Sequence, residues 1–207
     1  SDHVGGISAL LQRYPNLPIY GPASERIPHR THPLNGGERL HIEEINSEFQ
    51  VMNVHGHTAG HIAYYTQDNN GESKLFCGDT LFAAGCGRVF NGTMKDLHES
   101  LQKIAQLPED TLIYCAHEYT LDNLGFAKWV EPDSGDVLAR EEADRALIDA
   151  DQATVPSRLS LELETNPFLR TDKPHVMQQV AEVTGKDLTN PEEVFAAMRT
   201  WKDTEYD

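Results

Sequence analysis

Five side chains in this 207-residue sequence carry donors suited to a metal ion: Asp2 and His3 in SDHVGG, His57 in HGHTAGH, Asp79 in CGDTLF and His117 in CAHEYT. Imidazole nitrogen and carboxylate oxygen with no thiolate suit zinc, manganese or iron, and an aspartate can bridge two ions through its two oxygens. Singly, each residue admits a plainer role. Asp79 could be a turn residue after Gly78, Asp2 a helix cap, and a histidine at a strand end a hydrogen-bonded side chain. Taken together, four separate segments that finish on an acid or a histidine are harder to explain plainly. Loops at one edge of a layered sheet are a common place to gather such ligands, because rigid strands fix the loops.

For these residues to meet, strands must hold them. Residues 49–54 predict a strand that ends at His55-Gly56-His57. Residues 62–66 predict the next, closed by the turn sequence Asp68-Asn69-Asn70-Gly71, and 74–77 a third that runs into Gly78-Asp79. Residues 112–115 read as a buried strand ending at Ala116-His117. Ahead of these, 7–14 puts Ile7, Leu10 and Leu11 on one helical face, Ile19-Tyr20 is a short strand, and 27–37 is turn-rich and irregular. Thr93 caps a helix with Asp96 three residues on and Leu97, Leu101 and Ile104 as its apolar stripe. Beyond Tyr119 the periodicity is helical only, over 121–130, 136–150, 157–164, 174–183 and 191–201, the last with Asn190 as cap and Pro191 at the first position. The change divides the chain into an α/β domain, 1–118, which carries the five donors, and a helical domain, 119–207.

Composition narrows the partners. Acids outnumber bases 33 to 17, and the net charge of −16 argues against general affinity for nucleic acid or an anionic membrane. No apolar run approaches the roughly 18 residues needed to span a bilayer. Three cysteines, odd in number and set in or near apolar runs, predict reduced thiols in a cytoplasmic protein. A small anionic ligand would need a local basic pocket.

SDHVGG resembles the end of the THxHxDH motif of the metallo-β-lactamase superfamily, and HGHTAGH, CGDTLF and CAHEYT resemble its later metal-binding segments in order. GDTLFAAGCGR, AHEYTLDNLGFA and NPFLR, with the helical tail, are more specific and resemble the glyoxalase II (hydroxyacylglutathione hydrolase) family over essentially the whole chain. The resemblance implies an αββα metallo-β-lactamase-like sandwich with an α-helical C-terminal domain whose NPFLR segment folds back over the cleft. It implies two divalent metal ions, zinc first, with iron and manganese as alternatives. Asp2, His3 and His117 would hold one ion, His57 the other, and Asp79 would bridge them, with Asp2 and Asp79 as the catalytic carboxylates. Two further histidines of the same motif are expected immediately upstream of SDH, together with earlier strands of the first sheet. SDHVGG then reads as the tail of a longer motif in a cropped sequence. Without those histidines one ion would keep only His57 and Asp79, and 207 residues alone are expected to be nearly inactive.

The implied reaction is hydrolysis of S-D-lactoylglutathione to D-lactate and glutathione by a metal-bridging hydroxide, in a monomer. Arg88, Tyr119, Arg170 and Lys173 match the family's substrate-binding positions, while Phe90 stands where relatives carry tyrosine. Against a net charge of −16, one cation at 4 Å in an effective dielectric near 20 supplies about 4 kcal/mol, enough to offset a diffuse field. His61 is read as orienting its neighbours or as a plain loop hydrogen bond, and His29, His32, His41, His55, His98 and His175 as surface residues. The cysteines read as structural. Two other readings stand beside this one: a persulfide dioxygenase or other hydrolase of the superfamily, and a catalytically dead remnant that binds glutathione conjugates.

Overall fold

A computed structural model describes residues 2–68 and 70–206; Ser1 of the opening motif, Asn69 of the predicted turn and Asp207 lie outside them. In chain order the elements are α1 (Ile7–Arg13), β1 (Tyr20–Pro22), β2 (His32–Leu34), β3 (Arg39–Ile42), β4 (Ser47–Asn53), β5 (Ile62–Gln67), β6 (Ser73–Gly78), β7 (Leu81–Phe82), β8 (Gly85–Cys86), α2 (Met94–Ile104) and β9 (Leu112–Cys115). They are followed by α3 (Thr120–Val130), α4 (Gly135–Asp149), β10 (Ser157–Arg158), α5 (Leu159–Thr165), α6 (Pro174–Thr184), α7 (Pro191–Trp201) and a π turn, Lys202–Tyr206.

The main sheet has the order β10-β9-β6-β5-β4-β3. Neighbours are antiparallel except β6 and β9, which are parallel and joined through α2 as a strand–helix–strand crossover requires. Register gives the sheet two faces. Met52 sits opposite Ala63, Tyr65 opposite Leu75, and Leu75 opposite Ile113 on the face that meets the helices. There the α2 stripe Leu97, Leu101 and Ile104 is fully buried, in one cluster with Phe126, Phe168, Phe195 and Trp201 of the helical part. Burying each such side chain stabilises the fold by about 1.5–3 kcal/mol, so strands and helices here share a core. The other face carries Leu40 opposite Phe49 and Tyr64 opposite Phe76, the last 40% exposed.

Local chemistry sets the helix starts. Thr93 accepts from Asp96 N–H at 3.0 Å and Asn190 from Glu193 N–H at 3.0 Å, each satisfying one of the first-turn donors that have no partner within the helix. Three expectations change. The 27–37 stretch supplies β2, paired in parallel with β1. The helix expected from 157 begins at Leu159, because Ser157 and Arg158 are drawn into the ladder opposite Ile113 and Leu112. His98, expected at the surface, is buried between Phe195 and Thr171. The first helix forms as expected, yet none of its residues is buried among the described residues, and Leu10 is 49% exposed.

Candidate metal centre

Topology brings the donors together. β5 is antiparallel to both β4 and β6, and β9 is parallel to β6, so β4, β6 and β9 end at one edge of the sheet. His57, Asp79 and His117 follow those three ends, and Asp2 and His3 reach the same edge from the turn ahead of α1. Two glycines make the approach feasible. Gly78 turns with φ +54°, a conformation natural to glycine, and a Cβ there would sit 2.6 Å from His61 Nε2. Gly87 passes so close to the Asp79 carbonyl and the His57 ring that a side chain would collide with both.

Nε2 of His3 lies 3.0 Å and Nε2 of His57 3.2 Å from Asp79 Oδ2, while His117 Nε2 is 3.6 Å from Asp79 Oδ1. Asp2 Oδ2 completes the cluster at 3.4 Å from His3 and 3.3 Å from His117. Asp2, His3 and His117 offer donor atoms all within 4.8 Å of one another. His57 Nδ1–H donates to the Arg88 carbonyl at 2.8 Å, which turns the Nε2 lone pair inward, the arrangement a metal-ligating histidine needs. Asp79 Oδ1 is buried and has no hydrogen-bond partner. An orphaned carboxylate oxygen facing an imidazole nitrogen is what a cation between them would satisfy, and the nitrogen and oxygen donors fit a zinc-, iron- or manganese-type ion.

Burial disfavours the His57 imidazolium, but the Asp79 hydrogen bond and the Arg88 carbonyl outweigh it and hold its pKa above the ordinary value. Asp79 is the converse: burial raises its pKa, and His57 with the His3 and His117 rings brings it below the usual carboxylate value. His61 donates from Nε2 to the Cys77 carbonyl at 3.2 Å and so braces the turn that carries Asp79. Burial lowers its pKa.

The donor cluster forms one end of a cleft of about 630 Å³. Tyr119 stacks on the His117 ring at 5.3 Å with Phe82 edge-on to both, and Phe90, 73% exposed, packs against His57. Arg88 lines the cleft, as expected. Arg170 and Lys173 do not. The Arg170 guanidinium makes a two-pronged pair with Glu131 at 2.9 Å on each arm, and Lys173 pairs with Asp172 at 3.2 Å; neither residue is in the cleft lining. NPFLR packs beneath the loop between β7 and β8, where Asn166, Pro167 and Phe168 are buried, and does not cover the cleft. The cations that do line it, beside Arg88, are Arg199 and Lys202, at the end of α7 and the start of the π turn. Arg199 falls within the helix expected over 191–201, where the sequence alone gives it no role, and Lys202 lies just past that helix. Their signal was the i, i+3 spacing next to the Val194, Phe195, Met198, Trp201 stripe, which fixes the side of the helix on which they emerge.

Comparison with known proteins agrees in both halves of the chain. Residues 1–117 match the Metallo-beta-lactamase superfamily, and residues 118–205 match the Hydroxyacylglutathione hydrolase C-terminus. A hydroxyacylglutathione hydrolase of Nitrosomonas eutropha is 49% identical over 201 residues, covering 97% of this chain and 76% of that protein. One from Halorhodospira halophila is 49% identical over 203 residues, covering 98% of this chain and 77% of the relative. Among solved structures, ETHE1 from Myxococcus xanthus superposes with a TM-score of 0.58 at 21% identity, covering 95% of this chain and 70% of that one, a likeness of fold.

Proposed function

The chain belongs to the hydroxyacylglutathione hydrolase family within the metallo-β-lactamase superfamily, and from that membership together with the donor cluster we infer a metal-dependent hydrolase of 2-hydroxyacylglutathione thioesters. It cleaves S-D-lactoylglutathione with water to D-lactate and glutathione. The observation that carries the reading is the convergence of Asp2, His3, His57, Asp79 and His117 at one end of a cleft whose other wall holds Arg88, Arg199 and Lys202.

In this reading Asp2, His3 and His117 would hold one ion and His57 the other, with Asp79 as a ligand available to both. Zinc fits the donor set first, with iron and manganese sharing its preferences. Two such ions, when bound, supply a nucleophilic water at neutral pH and polarise the thioester carbonyl. The chain's own residues do the rest. Asp79 and Asp2 would be the catalytic carboxylates, Asp79 buried among the three histidines and Asp2 at the exposed rim of the cluster beside His3 and His117. The Arg88 carbonyl keeps the His57 ring turned so that only Nε2 faces the reaction. Tyr119 and Phe82 shape an apolar wall for the acyl group, and Arg88 and Lys202, with Arg199 buried behind them on the Cys86 carbonyl and Asp203, give the cleft the positive charge that answers the carboxylates of glutathione. The departing glutathione sulfur is a stable thiolate and needs no strong acid. Arg170 and Lys173 are held in their own ion pairs and stand outside the cleft lining.

A monomer in the cytoplasm fits the three unpaired cysteines, of which Cys77 and Cys86 are buried, and no helix among the described residues is long and apolar enough to cross a membrane. The test sets two reactions side by side in protein expressed from its own reading frame. Loss of S-D-lactoylglutathione absorbance is expected. Oxygen uptake with glutathione persulfide and no thioester cleavage would replace this reading with a dioxygenase, and binding of glutathione conjugates with neither reaction would leave the remnant.

A further inference from the structure

The backbone of residues 82–86, between the donor edge and the cleft wall, is held by side chains of the helical part. Asn166 Nδ2 donates to the carbonyls of Gly85 at 2.9 Å and Phe82 at 3.3 Å, Asn123 Nδ2 to Ala83 at 3.0 Å, and Arg199 Nη1 to Cys86 at 3.1 Å. The amide of Ala84 donates to Glu162 Oε2 at 2.9 Å. Ala84 has φ +57°, a left-handed conformation that a residue with a Cβ keeps only where its surroundings enforce it. Glu162 is fully buried. Its other oxygen accepts from Arg140 Nη2 at 2.6 Å, and Arg140 in turn reaches Thr165 at 2.6 Å and Asp144 at 3.3 Å. One carboxylate on α5 therefore ties α4 to the amide of the strained loop residue.

The loop matters because of where it leads. At one end it sets Phe82 edge-on to Tyr119 and His117 at 5.3 and 6.1 Å. At the other it continues through Gly87, which threads between Asp79 and His57, to the Arg88 carbonyl that orients His57. A shift of Ala84 moves both.

We propose that Glu162 is a positioning residue for the hydrolysis: by fixing the Ala84 amide it sets the 82–88 loop, and through it the His57 ring and the Phe82 wall. The proposal rests on the hydrolytic reading above and extends it to a residue outside the cleft.

Glu162→Gln keeps the shape but leaves a single acceptor oxygen, so it cannot serve both Arg140 and Ala84. Asp144→Asn perturbs the same buried arginine without touching the loop. In metal-loaded protein from its own reading frame, Glu162→Gln is expected to lower kcat/KM for S-D-lactoylglutathione by on the order of tenfold or more per folded molecule, as small misplacements of reacting groups do. The Ala84 amide should exchange with solvent faster, and the His57 Nδ1–H proton resonance should shift. Asp144→Asn is expected to lower the melting temperature while leaving all three readouts near wild type. Should the glutamine variant fail to fold, Asn166→Ala, which frees the Phe82 and Gly85 carbonyls, removes the 3.0 Å hydrogen bond from Asn166 to Glu162 Oε2 and keeps the Arg140–Glu162 pair, is expected to give the same fall. A folded Glu162→Gln with wild-type kinetics and exchange overturns the proposal, as does an equal kinetic fall in Asp144→Asn. If the wild-type protein leaves the thioester intact, the hydrolytic reading fails instead, and the Ala84 and His57 signals still decide whether Glu162 sets the loop.

Discussion

Two segments of the helical part carry the same pair of cations at the same spacing, Arg170 with Lys173 and Arg199 with Lys202, and the fold uses them in opposite ways. Arg170 is turned away from the cleft onto the buried carboxylate of Glu131, which also accepts from His175 at 2.6 Å, and Lys173 lies at the surface beside Asp172. Arg199 lies 1% exposed with its guanidinium 5.2 Å above the Phe168 ring, bonded to the Cys86 carbonyl and to Asp203. Lys202 sits over the Phe126 and Tyr206 rings at 5.7 and 5.1 Å, 3.4 Å from Asp122. Arg170 is anchored on Glu131 and Lys173 is not packed, whereas both members of the second pair are buried and Arg199 is anchored against the loop that leads to the donors. Spacing supplies the cations, and the docking of α7 on that loop selects which pair lines the cleft.

Removing Arg170 should have the largest effect, on stability. Arg170→Ala leaves a buried carboxylate short of its partner, a change that costs about 3–5 kcal/mol for a fully buried pair. The lower end is expected here because His175 still donates to Glu131. Denaturant unfolding checks the loss, and KM in the surviving folded enzyme should be unchanged. Lys202→Ala should act on KM. Loss of a charge-assisted contact worth roughly 1.5–3 kcal/mol raises KM about 10- to 100-fold in the folded enzyme. Steady-state kinetics reads it, and a wild-type KM that rises with salt more steeply than that of the variant would sharpen the assignment.

A smaller effect separates the segments by pH. His98 packs against Thr171, at the foot of the Arg170 segment, and burial holds its pKa below 6.5 against the pull of Glu192 and Glu99. As pH falls through about 6.5 the unfolded chain takes up a proton that native His98 refuses, so stability falls over that window and levels off below the native pKa. His98→Gln should flatten this part of an unfolding free energy measured against pH. Lys173→Ala is expected to be smallest, within about 0.5 kcal/mol of wild type in stability, with KM unmoved. A large KM change there would restore Lys173 as a substrate contact and undo the contrast.

How far the sequence could be read follows the same division. His57, Asp79 and His117 were legible because each follows an apolar strand run, and the direction of β4, β6 and β9 then forces them to one edge, whereas Asp2 and His3 lie ahead of every strand and were legible only through the motif that SDHVGG resembles. Arg199 and Lys202 were not, since a cation at a helix end is favoured by the helix dipole whatever it faces. Arg170 misled for the converse reason: its partner Glu131 lies 39 residues away and nothing local announces it. β3 escaped because a four-residue edge strand is defined by its pairing with β4 more than by its own pattern. His98 was placed at the surface because no motif surrounds it, whereas the α2 stripe beside it, Leu97 and Leu101, already implied a nearly buried face.

If the donor cluster acts as one catalytic metal centre, bound zinc and initial rate followed in the same samples must change together. Protein from its own reading frame would be stripped by a chelator and titrated back with zinc, with S-D-lactoylglutathione as substrate and Asp79→Asn in parallel. The rate should vanish on stripping, return in step with bound zinc, and stay lost in Asp79→Asn by more than the roughly 100-fold typical of losing an outer partner of a ligand. Full hydrolysis by the stripped protein, or wild-type zinc binding and rate in Asp79→Asn, would contradict it.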